Sequence, residues 1–287
     1  MHVESPVQHQ AVQGDAYLHL LKGVLTRTLM PDRFRPISAA SLKARGNPAW
    51  IPVGMVQAAL AKLHLCLCVT RWDDEVRRQG RDWPSEAETM IGMERLNNVE
   101  YCVREVLRNN VPGDLMETGV WRGGSCILMR AILRTFGDES RSVWLADSFQ
   151  GLPKPDGRYS EDSGSKWYKF KDQLGVSIDE VKRNFERYGL LDDRVQFLPG
   201  WFCDTLPTAP VERLSVLRLD GDMYSSTMDA LLNLYPKLSV GGYLLVDDYG
   251  DLGECRQAVT DFRTRYGVDE PIIKVDWTGV YWQKLKP

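Results

Sequence analysis

The run GDLMETGVWRGGSCILMRAIL, residues 113–133, decides the fold class. Its first half reads as a strand, GDLMETGV, and its second half repeats apolar residues at helical spacing. Gly119, Gly123 and Gly124 join the two. Glycines at such a junction let backbone N–H groups approach a ligand at a helix N-terminus. The spacing is not the GxGxxG of dinucleotide binders, so on its own the pattern suits either a ligand loop or a plain strand-to-helix turn.

Downstream, the same alternation recurs. Strands are expected in SVWLADSF (142–149), RVQFLPGWF (194–202), LSVLRLDGD (214–222), GYLLVDDYG (242–250), PIIKVDW (271–277) and GVYWQKL (279–285), with helices near 125–136, 177–188, 226–236 and 254–266. Strands separated by helices of this length imply a parallel α/β sheet with right-handed crossovers. In open sheets of that kind, ligands bind beyond the carboxyl ends of the strands. A long polar insertion, 154–175, follows the second strand and is a candidate lid.

Upstream, residues 1–15 are polar and expected to be disordered, and 16–110 form a helical N-terminal region ahead of a core at 111–287. Within that region AYLHLLKGVLTRTL (16–29) has helical periodicity, and the proline-rich stretch after it reads as an irregular connection. VGMVQAALAKLHLCLCV (53–69) is apolar enough for a buried or partner-facing helix. A helix over 85–110 is expected to open on the capping-box pair Ser85 and Glu88.

Composition narrows the function. With 43% hydrophobic and 26% charged residues and a net charge of -3, the chain is an ordinary globular protein with no basic excess for nucleic acid. Neither a signal peptide nor a membrane span is evident, and the six cysteines form no CxxC pair, so a reducing cytoplasm is the expected compartment. All four histidines lie in the first quarter of the chain. Chemistry in the core therefore falls to carboxylates and backbone.

Those carboxylates cluster at strand ends. Asp147 closes the second strand, where α/β nucleotide binders keep an acid for a ribose hydroxyl pair, although an Asp there also caps the next segment. Gly200 and Trp201 end the third strand; a tryptophan there packs in the core, stacks on an adenine or faces a cation. Asp220 and Asp222, two apart, point the same way from an extended chain, and Asp247 and Asp248 end a neighbouring strand. Four clustered carboxylates repel one another without a cation, unless each caps a helix or meets a basic side chain. An oxygen-only set selects a hard cation such as Mg²⁺, Ca²⁺ or Mn²⁺ over Zn²⁺.

With these residues in hand a resemblance emerges. TMIGMERLNN, GDLMETGVWRGGS, VWLADSFQGLP, NFERYGLLDDRVQFLPGWFCDTLPTAP, LRLDGDMYSSTMDAL and GGYLLVDDY are similar to segments of the macrocin O-methyltransferase (TylF) family. The likeness runs from about Tyr17 to the C-terminus and breaks over 31–69. It implies a Rossmann-like class I methyltransferase fold, with a mostly parallel seven-stranded sheet. It also implies an S-adenosylmethionine-using, Mg²⁺-dependent enzyme that methylates a sugar hydroxyl of a glycosylated natural product such as an antibiotic. Carried over by residue, it implies Asp220, Asp247 and Asp248 as metal ligands and Asp222 as general base. Thr89, Met90, Glu117, Thr118, Gly119, Val120, Trp121, Asp147, Ser148, Gly200 and Trp201 would contact the methyl donor. Homodimers or larger assemblies, in which N-terminal helices help close the site, are implied as well. Two rival readings are a metal-dependent glycosyltransferase using the DxD pair and a non-catalytic methyltransferase-like subunit.

Overall fold

The computed structural model describes residues 6–37, 39–44, 46–70 and 73–287. The N-terminal region contains α1 (Pro6–Leu25), a short antiparallel pair of strands β1 (Phe34–Pro36) and β2 (Cys68–Thr70), and helices α2 (Ala39–Ala44), α3 (Trp50–Ala61), α4 (Asp74–Arg78) and α5 (Met93–Arg108). The core follows as β3 (Asp114–Thr118), α6 (Gly124–Thr135), β4 (Val143–Asp147), α7 (Lys171–Leu174), α8 (Ile178–Arg187), β5 (Val195–Pro199), α9 (Phe202–Thr205), β6 (Leu214–Leu219), α10 (Tyr224–Leu234), β7 (Leu238–Val246), α11 (Gly253–Tyr266), β8 (Ile273–Lys274) and β9 (Val280–Gln283).

Seven strands make one sheet in the order β5-β4-β3-β6-β7-β9-β8. The first five run parallel, while β9 is antiparallel to both β7 and β8. Every residue of β6 is buried, as expected of a central strand covered on both faces. Alternation along the strands divides the interior into two layers. Leu115, Leu145 and Val216 face a layer completed by Leu18, Leu21 and Leu25 of α1 and by apolar residues of α5, α6 and α8. Met116, Ala146 and Leu217 face the opposite layer with α10 and α11. The strand order reverses between β3 and β6, and a crevice opens at their carboxyl ends, as doubly wound sheets require.

The seven expected core strands and the four helices between them are all present, so the Rossmann-like class I architecture is the fold. Three expectations about the N-terminal region change. Residues 1–5 lie outside the described residues, but 6–15, expected to be disordered, belong to α1. The helix expected over 85–110 begins at Met93, capped by Gly92. Ser85 and Glu88 do not form its capping box. Instead the Ser85 carbonyl accepts from Arg122 at 2.7 Å, and Glu88 is buried with a carboxylate oxygen 3.9 Å from Arg27. The apolar run 53–69 is helical only as far as Ala61 and ends in strand β2; none of the α3 residues is buried. The expected burial is not seen in the described chain, where α3 packs on α2 and leaves Ile51, Met55 and Val56 exposed.

Candidate active site

Chain geometry at the switch point forces the glycine loop against the opening of the β6–α10 turn. Gly119 sits at φ 85°, and a Cβ there would lie 1.8 Å from the Asp220 carbonyl oxygen. Only glycine allows both the left-handed backbone and the close approach. Gly123, at φ 86°, is the N-cap of α6. Trp121, Phe149 and Asp222 also hold positive φ, of 46°, 55° and 57°. Of these, Trp121 and Asp222 line the crevice, and strained non-glycine backbone gathered there is characteristic of a functional site.

Asp147 performs the capping role and faces the cavity at once. Its Oδ2 accepts from the Val120 N–H at 2.8 Å and its Oδ1 from the Phe149 N–H at 2.7 Å. Burial pushes its carboxyl above the ordinary range, and those N–H groups oppose the shift. Ser148 donates to the Gly151 carbonyl at 2.7 Å. Asp147, Ser148, Gly119, Trp121, Gly200 and Trp201 line a cavity of about 300 Å³, together with Met90, Asp220 and Asp222. The Trp121 indole N–H donates to the Gln173 carbonyl at 2.8 Å, tying the glycine loop to the polar insertion.

Four of the expected donor contacts are turned elsewhere. Val120 and Thr118 are buried, and Thr89 accepts from the Ile91 N–H at 3.3 Å under the glycine loop. Glu117 points into the protein, accepting from the Cys126 thiol at 2.8 Å and from Arg218. None of these four side chains is among the cavity's lining residues. Their backbone still shapes the loop, since Val120 supplies an N–H to Asp147.

The strand-end carboxylates converge. Asp220, Asp247 and Asp248 each offer an oxygen, and the three oxygens lie within 4.8 Å of one another. The Asp222 N–H donates to Asp248 Oδ2 at 3.2 Å. Basic partners are present too, as the bland reading of the sequence required for some of these residues. Arg218, fully buried in β6, donates through Nη1 to Glu117 and to Asp220 (2.8 Å) and through Nη2 to one oxygen of Asp247. Arg95 of α5 takes the other oxygen of Asp247 and donates through Nε to Asp276 at 3.0 Å. Two guanidinium groups cannot balance Asp220, Asp222, Asp247, Asp248 and Glu117 together, and among the described residues no ion pair reaches Asp222 or Asp248. Burial, then the Asp247 carboxylate, raises the Asp220 carboxyl well above its usual range. Burial, then Asp222, does the same for Asp248. For Asp222, half-buried, desolvation and then the Asp247 and Asp251 carboxylates push the carboxyl up to about 7.

Oxygen-only ligands, close convergence and an unbalanced negative charge together fit a hard divalent cation. Arg95 and Arg218 were missed in the sequence. The available signal was an arginine inside the otherwise buried run LSVLRL, since a charge in a central strand is tolerated only when paired.

A second cavity, of about 250 Å³, meets the first at Met90, Leu174, Asp220 and Asp222. Its walls come from the α4–α5 connection, the insertion, the end of β7 and the β8–β9 turn. Asp222 thus stands where two separate chambers join.

The sheet order and this crevice define a class I S-adenosylmethionine-dependent methyltransferase. Residues 14–284 match the family model described as macrocin-O-methyltransferase (TylF), and the chain belongs to that family of O-methyltransferases. It is 55% identical over 215 residues to demethyldecarbamoylnovobiocin O-methyltransferase of Streptomyces niveus, covering 74% of this chain and 82% of that one. It is 52% identical to mycinamicin III 3''-O-methyltransferase of Micromonospora griseorubida, covering 74% and 84%. The solved structure of the O-methyltransferase NovP covers 95% of this chain and 100% of its own, at 46% identity and a TM-score of 0.81. A calicheamicin methyltransferase, CalS11, shares the fold at 18% identity and a TM-score of 0.55, covering 82% of this chain and 93% of its own. Fold and family together leave no place for the glycosyltransferase reading.

Proposed function

We propose that this enzyme transfers the methyl group of S-adenosylmethionine to a hydroxyl of a deoxysugar carried by a natural product such as an antibiotic, and that it requires Mg²⁺. The supporting observation is the position of Asp222 at the junction of the two cavities, beside the converging oxygens of Asp220, Asp247 and Asp248. Relatives named for methylating novobiocin, mycinamicin and rhamnosyl-tetracenomycin precursors support the acceptor class.

Methyl transfer to an alcohol is an in-line displacement: the oxygen attacks the methyl carbon as the carbon–sulfur bond breaks, and the hydroxyl proton must leave. The donor supplies the electrophilic methyl on a sulfonium. A divalent cation at Asp220, Asp247 and Asp248 would supply a Lewis acid that lowers the pKa of the hydroxyl. The chain's own part is alignment and proton removal. Gly119, Trp121, Asp147 and Trp201 shape the donor chamber. Asp222 accepts the proton. An unperturbed Asp, near 3.9, is a weak base for an alcohol; the rise toward 7 improves the match.

We further propose that the enzyme acts in the cytoplasm as a homodimer or larger homo-oligomer, with α3 in the contact. All six cysteines are free thiols, and among the described residues no helix is long and apolar enough to cross a membrane. Ile51, Met55 and Val56 of α3 are exposed. The test of the catalytic reading is methylation of demethyldecarbamoylnovobiocin. Methyl transfer that needs added donor, stops with EDTA and returns with Mg²⁺ is expected. Turnover indifferent to EDTA would remove the metal from the proposal.

A further inference from the structure

The insertion at 154–175 grips α10 through contacts that the catalytic chemistry does not use. The helix begins at Tyr224, two residues after Asp222, and its own N-cap, Met223, offers no capping side chain. Asp162 supplies the cap from the insertion. Its carboxylate is buried, and it accepts from the Tyr224 N–H through Oδ1 and from the Ser225 N–H through Oδ2, each at 2.9 Å. Both oxygens are thus spent on the first turn of α10, where a carboxylate is favoured. Two neighbours reinforce the grip. Tyr159 packs on Tyr224 with ring centres 5.0 Å apart, and the Arg158 guanidinium meets both oxygens of Asp229, further along α10, at 2.9 and 3.0 Å. Its Nε also donates to Asp156 at 2.6 Å.

We propose that Asp162 is a positioning residue for Asp222: by capping α10 from the insertion, it fixes the turn that carries the base to the junction of the two cavities. This rests on the methyltransferase reading above, in which Asp222 takes the hydroxyl proton, and adds the group that holds it in place. The turn needs holding. Asp222 sits at φ 57°, and a left-handed non-glycine residue persists only where its surroundings fix it. On one side its N–H reaches Asp248 at 3.2 Å, and on the other the chain runs at once into the turn of α10 that Asp162 caps. The insertion also walls both chambers, with Leu152 and Lys154 in the first, Trp167 in the second and Leu174 in both. Asp162 lies between those stretches in the chain. One anchored segment therefore closes the crevice and places the base, so that proton removal is coupled to the seating of the insertion.

Single-turnover methylation of demethyldecarbamoylnovobiocin at saturating donor and acceptor, with calorimetric titration of S-adenosylhomocysteine, tests the proposal in wild type, Asp162→Ala, Asp162→Asn, Asp138→Ala and Asp222→Asn. In Asp162→Ala the transfer rate should fall about 10–10²-fold, as a base displaced by an ångström requires. The S-adenosylhomocysteine Kd should stay within about threefold of wild type, because Gly119 and Asp147 of the donor chamber stand on β3 and β4, away from α10. Asp162→Asn keeps one accepting oxygen and should recover part of the rate; it decides the question if the alanine variant does not fold. Asp138→Ala is the control for loss of a structural carboxylate. Asp138 accepts from the Ser140 and Arg141 N–H groups at 2.9 and 3.0 Å ahead of β4, at the opposite end of the sheet, and its removal should leave the rate within about twofold of wild type. A wild-type rate in folded Asp162→Ala and Asp162→Asn, or a loss matched by Asp138→Ala or by equal weakening of S-adenosylhomocysteine, overturns this inference alone. A wild-type rate in Asp222→Asn overturns the reading of the base, and this inference with it.

Discussion

Asp222 combines three things a general base needs: a fixed position, a raised pKa and contact with both chambers. Its φ of 57° turns the chain out of β6, and its N–H to Asp248 holds the turn. Asp222→Asn should lower kcat by about 10²–10⁴-fold while calorimetry shows donor-product and Mn²⁺ binding retained; turnover near wild type would remove Asp222 from the role. In the wild type, kcat/KM should fall on the acid side with a midpoint at or below the value of about 7 that burial and neighbouring carboxylates give Asp222, because only the deprotonated form can accept a proton. At Gly119, substitution by Ala meets the Asp220 carbonyl and a left-handed backbone together. The backbone alone costs about 1–2 kcal/mol, so Gly119→Ala should lower Tm by several degrees and weaken S-adenosylhomocysteine binding. A Tm and Kd equal to wild type would show that the loop can move aside.

At the level of elements, the core was legible because its signals are local and repeated. Alternating apolar runs and helical periodicity from Asp114 to Gln283 marked each core strand, and the paired aspartates marked the ends of β6 and β7. The N-terminal region was less legible because tertiary contacts, rather than local pattern, set its limits. Arg122 takes the Ser85 and Ala87 carbonyls at 2.7 and 3.0 Å, and the Gly124 N–H takes the Glu88 carbonyl at 2.9 Å, so the apparent capping box is spent on the glycine loop instead of on α5. Glu117 shows the same limit within the site. Its position at the end of β3 was readable, but its inward turn depends on Arg218 from the adjacent strand. For α3, apolar content suggested the helix but not what covers it. If α3 forms the contact between copies, Met55→Glu, which places a charge in its exposed apolar face, should shift the enzyme toward monomer in light scattering. An unchanged mass would move the contact elsewhere.

The acid cluster also links stability of the whole molecule to pH. The carboxyls of Asp220, Asp222 and Asp248 are raised above their unfolded values, so the folded protein holds protons that the unfolded chain has released. Their contribution to stability is full below about pH 4, the unfolded carboxylate range, and is lost as pH rises through the folded values. The proposed divalent cation would bind the deprotonated cluster, so its stabilisation would grow in the opposite sense. The Mg²⁺-induced increase in Tm should accordingly be larger at pH 8 than at pH 6, and an increase independent of pH would indicate binding elsewhere. Two buried arginines pair with Asp220 and Asp247 and leave Asp222 and Asp248 without an ion pair among the described residues, a residual charge that the proposed cation would balance.

The account depends on Asp220, Asp247 and Asp248 sharing one ion next to Asp222. A crystal grown with Mn²⁺ and S-adenosylhomocysteine, measured at the manganese absorption edge, reads this directly. An anomalous peak within coordination distance of all three carboxylates is the predicted result. A peak placed elsewhere, or none at full Mn²⁺ occupancy in solution, would contradict it.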